Sequence, residues 1–269
     1  GVAAFRADTM TYLGLHLNTN QSGSVDGAIF PSWCAIDGNE NLVLPYQPGN
    51  GSSGIVEYSV DWSTLPLPVG WAAPFSRIVP LSNESGGTMR FNTIQGGEYS
   101  SDGKLLYIST GYLDDSPAMQ AAEGLHAFDT ATWRRVAHST KDSGLFNFSW
   151  VPDGLTDEEP QGLTVWDLDG GAAPGIFGQL HVLMIDNDGS PDSDDIYLKH
   201  YTNRIWVNWA AGPRGMGTRP SPFQTLVEAL GLAWAGSEIR LEAGSYPTPI
   251  TISQRVRLVA DNGTARIGD

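Results

Sequence analysis

Between residue 1 and about residue 202, hardly any segment keeps a helical period of apolar residues over three turns; short apolar runs alternate with clusters of turn-forming residues. This pattern constrains the fold more than any other feature. A chain interrupted so often buries a core only by pairing its pieces as strands, so this part reads as all-β. The 32 glycines and 17 prolines, with only 17% of residues charged, fit a globular, turn-rich protein rather than a disordered one.

Three stretches follow one plan: an apolar strand, an Asp-Gly type turn, a second strand, a variable loop, then a third strand ending in Asp. The clearest copy is "GGEYSSDGKLLYIST" followed by "GLHAFDTATW". There Asp102 and Gly103 are expected to supply the positive φ angles of a tight hairpin turn, and "KLLYIST", apolar on both faces, reads as a strand between two layers. An earlier copy is "SWCAIDGNENLVLPY" with "GIVEYSVDW"; a looser third is "QGLTVWDLDGG", "GQLHVLMIDNDG" and "DDIYLKHY". Repeats of roughly 45 residues, each able to form a four-stranded sheet, are what a β-propeller blade requires. The segments "QGGEYSSDGKLLYIST…GLHAFDTAT" and "EEPQGLTVWDLD" resemble blades of bacterial extracellular β-propellers, over most of residues 30–201. The resemblance implies a fold and not an activity, since that architecture hosts hydrolases, lyases, lectins and scaffolds alike.

The character changes at about residue 203. "RPSPFQTLVEALGLAWAG" places Ser221 as a helix N-cap, Pro222 at the first helical position and Gln224 three residues after the cap. Phe223, Leu226, Leu230 and Ala233 or Trp234 then share one helical face, and Gly236 is placed to end the helix. After it, "EIRLEAGSY", "PITIS", "RVRLVA" and "ARIG" read as short strands about ten residues apart. This succession resembles the N-terminal cap and first rungs of right-handed parallel β-helix proteins of the pectin-lyase-like class, over about residues 204–268. In that class the catalytic residues lie on later rungs than the two at most that fit before Asp269, so the resemblance implies either a chain cut short of those rungs or a small appended module that uses cap and rungs for docking. The expected fold is therefore all-β: a propeller-like body of short antiparallel strands (1–202) plus a small C-terminal β-helix-like module with one capping helix (203–269).

"DNDGSPDSDD" holds Asp186, Asp188, Asp192, Asp194 and Asp195 directly after the apolar run "QLHVLMI". Carboxylates at alternate positions with a glycine for a sharp turn can deliver the six to eight oxygens that calcium takes, which makes these five the candidate metal ligands. The spacing departs from the EF-hand pattern: Gly189 is fourth rather than sixth, Pro191 interrupts, and the twelfth position is Tyr197. Asp167 and Asp169 are further candidate ligands; a solvated inter-strand loop is the alternative. "DGLTDEEPQG" sets Asp153, Asp157, Glu158 and Glu159 before a strand. Glu158 and Glu159 are weak catalytic candidates, because paired carboxylates serve as acid and base only where burial separates their pKa values. His16, His126, His138, His181 and His200 show no zinc-binding spacing, and His181 reads as a core histidine bonded to backbone. There is no GxSxG elbow, Walker loop or dinucleotide fingerprint. Cys34, in an apolar run, is expected to behave as a small buried hydrophobe.

Trp62, Trp71, Trp133, Trp150, Trp206 and Trp209 adjoin turns or polar residues, a setting in which aromatic faces stack on sugar rings, although the same residues can staple sheets together. The net charge of −15 repels nucleic-acid backbones and anionic membranes. No apolar run approaches the length of a transmembrane helix, and the opening residues lack the pattern of a signal peptide, as expected of the mature form of an exported protein. The expected function is a secreted or cell-surface binding or structural protein, with polysaccharide or another extracellular protein as partner and calcium as a stabilising ion. A carbohydrate-active hydrolase or lyase and a self-associating assembly subunit are the alternatives.

Overall fold

The computed structural model describes residues 2–5, 9–16, 32–47, 53–64, 74–91, 93–111, 124–140, 158–168, 172–173, 176, 178–186, 196–201, 203–215, 217–233, 237–253 and 255–268. They are largely β, with several antiparallel sheets, a C-terminal parallel sheet and, among the described residues, one seven-residue α-helix. The chain divides into two compact units, Gly1–Arg135 with Pro160–Gly162, and Val136–Glu159 with Leu163–Asp269.

The first unit opens with the hairpin β1 (Val2–Phe5) and β2 (Tyr12–His16). A four-stranded antiparallel meander follows: β3 (Ala35–Ile36), β4 (Leu42–Tyr46), β5 (Gly54–Tyr58) and β6 (Phe75–Pro80), paired in chain order. A second meander repeats the plan with β7 (Ile94–Tyr99), β8 (Leu105–Thr110), β9 (Gly124–Asp129) and β10 (Arg134–Thr140), the last of which runs across the division between units. Period-two alternation gives both faces of the central strands something to bury. Val43 and Ile55 join one cluster with Leu81, Ile94, Leu106 and Phe128, while Leu44 and Val56, one residue over, join another with Leu42 and Tyr58. Each such side chain contributes about 1.5–3 kcal/mol when fully buried. Strand β8 is buried at every position, as a strand covered on both faces must be. Its turn differs from the expected tight hairpin: residues 100–104 separate β7 from β8, and only Gly103 of the Asp-Gly pair takes positive φ. Asp102 instead braces the loop, accepting from Ser100 Oγ and the Lys104 N–H.

A three-stranded antiparallel sheet follows in the order β11-β12-β13, where β11 is Glu158–Val165, of which Pro160–Gly162 count with the first unit, β12 is Leu180–Asp186 and β13 is Ile196–Tyr201. It is followed by β14 (Arg204–Val207), α1 (Leu226–Leu232), β15 (Glu238–Tyr246) and β16 (Arg257–Ile267), whose strands pair in parallel as β14-β15-β16. Ile205, Val207, Ile239 and Leu241 alternate onto the face covered by Leu226, Ala229 and Leu230 of α1, with Phe223, Ile250 and Val256 at the margin. Residue 202/203, the expected domain boundary, falls within the second unit, between these two sheets.

The helix starts later than its sequence pattern suggests. Phe223 donates its N–H to Trp206 O and accepts from the Asn208 N–H, forming a parallel bridge with Val207, so residues around it stay extended. The cap is Thr225, not Ser221: Glu228 N–H donates to Thr225 Oγ1 and the Glu228 carboxylate accepts from the Thr225 N–H, a reciprocal capping box. "PITIS" is irregular rather than a strand, and "RVRLVA" and "ARIG" merge into β16, bent at Asn262 and Gly263, both at positive φ. Left-handed backbone at an Asn-Gly pair bends the strand without ending it.

Candidate functional site

Of the five aspartates proposed for calcium, Asp186 is the last residue of β12, while Asp188, Asp192, Asp194 and Asp195 lie outside the described residues. Strands β12 and β13 pair antiparallel as far as Ile185 opposite Ile196, and the acidic segment lies between them in the sequence. Glu158 and Glu159 open β11 rather than sitting in the loop before it; Asp153, Asp157 and Asp169 lie outside the described residues. Asp167 is engaged elsewhere, accepting from Arg204 Nη1 at 2.6 Å. Among the described residues, no three His, Cys, Asp or Glu side chains gather to hold a metal.

The described polar groups concentrate on the solvent face of the parallel sheet. Its register aligns Arg204, Glu238 and Arg257 across the three strands, and Trp206 with Arg240 one pair further on. Because alternate residues point inward, these side chains share the outer face. Glu238 accepts from Arg240 Nε at 2.6 Å, Arg257 Nη1 at 2.9 Å and Arg204 Nε at 3.3 Å. Arg240 also reaches Asp261 at 3.2 Å. The guanidinium carbons of Arg219 and Arg240 lie 5.2 and 5.4 Å from the centroid of Trp206, within cation–π range. Trp206 is thus a buried structural indole rather than a sugar platform.

Trp209 is different. Just past the end of β14, it is 52% exposed, yet its Nε1–H donates to Ala243 O at 3.2 Å. Its ring lies against the backbone of Gly244, where any β-carbon would overlap it. In the same stretch Asn262 Nδ2 donates to Glu242 Oε1 at 3.1 Å, leaving the amide oxygen and the carboxylate as further polar groups. Tyr246 braces the parallel sheet from its buried face, its hydroxyl donating to Glu242 O at 2.8 Å and lying 3.2 Å from Val207 O. Trp209 is thus an exposed indole held by its own N–H and by the close approach of Gly244.

The antiparallel sheet carries a second feature. His181 and His200 are direct cross-strand partners, with their Nδ1 atoms 2.7 Å apart. His181 Nε2 is 2.8 Å from Trp166 O, which only accepts, so that nitrogen carries a hydrogen and His181 Nδ1 is the lone-pair end of the neutral ring. The expectation of a backbone-bonded core histidine holds for His181, which is buried; its pairing with His200 was not foreseen. Burial, then the neighbouring His181, holds the pKa of His200 below the ordinary histidine value. Leu183 faces Leu198 and Ile185 faces Ile196 further along the same side, an exposed apolar stripe on which Ile196 is 71% exposed.

The remaining candidates sort by burial. Trp133 packs partly buried on the first unit's core, and Trp62 donates to Glu40 O; Trp71 and Trp150 lie outside the described residues. Trp166, 58% exposed, was missed because its neighbours "VWDLD" drew attention only as carboxylates. Cys34 is exposed rather than buried, and partial desolvation followed by the charge of Glu98 pushes its thiol pKa up, away from the reactive thiolate. His126 is a core group whose Nδ1 accepts from Arg135 and whose Nε2 meets Thr110 Oγ1. No family model matches the chain, and no curated protein matches it.

Proposed function

We propose that this chain is a secreted or cell-surface binding protein that recognises glycans through an exposed, backbone-anchored indole. Trp209 carries the reading: the residue is half exposed to water, while its indole N–H and one edge of the ring are fixed by Ala243 and Gly244. A platform already immobile in the free protein loses little further freedom when a sugar ring stacks on it, and Glu242 and Asn262 offer acceptors for hydroxyls. The net charge of −15 favours neutral over polyanionic glycans. No catalytic role enters this reading.

Two finer fold assignments accompany it. The chain-order antiparallel pairing of both four-stranded meanders supports propeller-like blades. Parallel pairing of β15 with β16, joined through residues 247–256 whose described residues are irregular, supports the first rungs of a pectin-lyase-like β-helix. Calcium belongs to the same reading, held by the acidic segment from Asp186 to Asp195; the melting temperature rises with calcium and falls with chelator if that is so. A second reading, an assembly subunit, is favoured by β16, an eleven-residue strand paired on one side only among the described residues.

Affinity electrophoresis in gels containing neutral polysaccharides, run beside an assay for new reducing ends, tests the proposal. Retardation without new ends, lost in Trp209→Ala, supports it. Accumulating ends identify a hydrolase or lyase, and migration unaffected by every polysaccharide removes the glycan reading. Light scattering against concentration separates the assembly subunit from both.

A further inference from the structure

We propose that His181 and His200 form a two-histidine site for a divalent transition-metal ion, copper(II) or nickel(II) before zinc, held through their Nδ1 atoms on the paired strands β12 and β13. The site is separate from the glycan surface and does not depend on it.

Three observations support it. First, the two Nδ1 atoms meet at 2.7 Å, cross-strand partners fixed by the register of a six-pair ladder. Neutral imidazoles at this separation share one proton, and a metal ion can take that proton's place, since imidazole nitrogen is a ligand common to zinc, copper and nickel. Second, the opposite nitrogen of His181 donates to the Trp166 carbonyl at 2.8 Å. This is the outer contact that metal-ligating histidines characteristically make: it fixes the tautomer and makes Nδ1 the lone-pair end of the ring. Third, the next positions along the two strands on the same side, Leu183 opposite Leu198, are apolar.

Ligand chemistry orders the ions: at a nitrogen site affinity rises through nickel(II) to copper(II) and falls again at zinc(II). In the metal-free pair the two Nδ1 atoms lie along one hydrogen-bonded line, and binding requires them to converge on a single ion. His181 is buried and bonded, so the adjustment falls to His200, the exposed ring, which turns until both lone pairs converge on the solvent side of the line between them. With no third ligand gathered among the described residues, water completes the coordination.

The test titrates the full chain, stripped of metal, with copper(II) and follows visible absorption and electron paramagnetic resonance. One equivalent bound with hyperfine coupling to two imidazole nitrogens is expected, with affinity falling from copper to nickel to zinc. His200→Ala and His200→Gln, changed at the exposed partner so that the buried His181 is left in place, weaken binding by about tenfold or more, the scale of loss seen even for outer-shell partners; circular dichroism checks that both fold. The proposal is overturned if no ion binds, if the His200 variants bind as tightly as the parent, or if the bound copper couples to a single nitrogen. In each case the pair shares a proton only.

Discussion

Replacing Glu238 by glutamine tests whether the charge lattice holds the parallel sheet together. The substitution keeps the shape of the side chain and removes its charge. In the parent, three guanidiniums (Arg204, Arg240, Arg257) face three carboxylates (Asp167, Glu238, Asp261). Afterwards Arg204 keeps Asp167 and Arg240 keeps Asp261, but Arg257 loses the carboxylate that pairs it in this lattice. The three contacts lose the charge of their acceptor, and they are unequal. Arg257 is 70% exposed and screened, contributing under about 1 kcal/mol. The Arg204 contact, at 3.3 Å, is long and weak. Arg240 to Glu238, at 2.6 Å between side chains 28% and 17% exposed, is the strong one, at about 1.5–2 kcal/mol. The expected loss is about 2–3 kcal/mol, below the 3–5 typical of breaking a fully buried pair because water reaches this face. At about 2–4 °C per kcal/mol for a domain of this size, calorimetry should show the transition containing this sheet about 4–12 °C lower, with the difference shrinking in high salt. An unchanged melting temperature, or an equal loss from Arg257→Gln, would refute the reasoning that Arg240 and Glu238 anchor the lattice.

Three further outcomes follow from the same structure. Gly244→Ala places a β-carbon on the Trp209 ring, so it should displace the indole and red-shift the tryptophan emission; an unchanged spectrum would show that the ring is not held there. Thr225→Ala removes the side-chain half of the capping box and should cost about 1 kcal/mol in denaturant titration, while Ser221→Ala should cost almost nothing; the reverse order would restore Ser221 as the cap. The pKa of Glu98 is raised by burial, with a smaller opposing effect from the Tyr99 N–H. A carboxyl raised in the folded state is most compatible with folding below its unfolded pKa of about 4.3 and loses stability as pH climbs through the folded value. Glu98→Gln, which keeps the acceptor, should therefore raise the melting temperature at neutral pH and leave it unchanged near pH 3; a gain of equal size at both would contradict the assignment.

Periodicity and turn residues made most strands readable because strands obey local rules. The buried run of β8 and the register-ready alternation of β15 were visible as "LLYIST" and "EIRLE". The helix cap was misplaced because two patterns competed: Ser221 with Pro222 looked stronger locally, yet the hydrogen bonds of Phe223 to β14 hold that segment extended, and Thr225 with Glu228 takes over. That decision is tertiary, beyond the reach of any local window. At the Asn262-Gly263 pair the strand bends without ending: its parallel pairing with β15 shifts register between Glu242 and Gly244 and resumes at Ala265. The site was less legible for the same reason. Trp209 could be nominated, but only the fold shows it exposed and Trp206 buried, three residues away. The pairing of His181 with His200 depends on register between two strands, and nothing in either residue's neighbours announces it.

The account turns on Trp209, and the indole N–H resonances of nitrogen-15-labelled protein report on it directly. Assigned by Trp209→Phe and followed through a titration with neutral oligosaccharides, its signal should shift saturably while the signal of buried Trp206 stays in place and no new reducing ends appear. A Trp209 signal that ignores every sugar, or oligosaccharide cleaved during the titration, would contradict the claim that this surface binds glycans without transforming them.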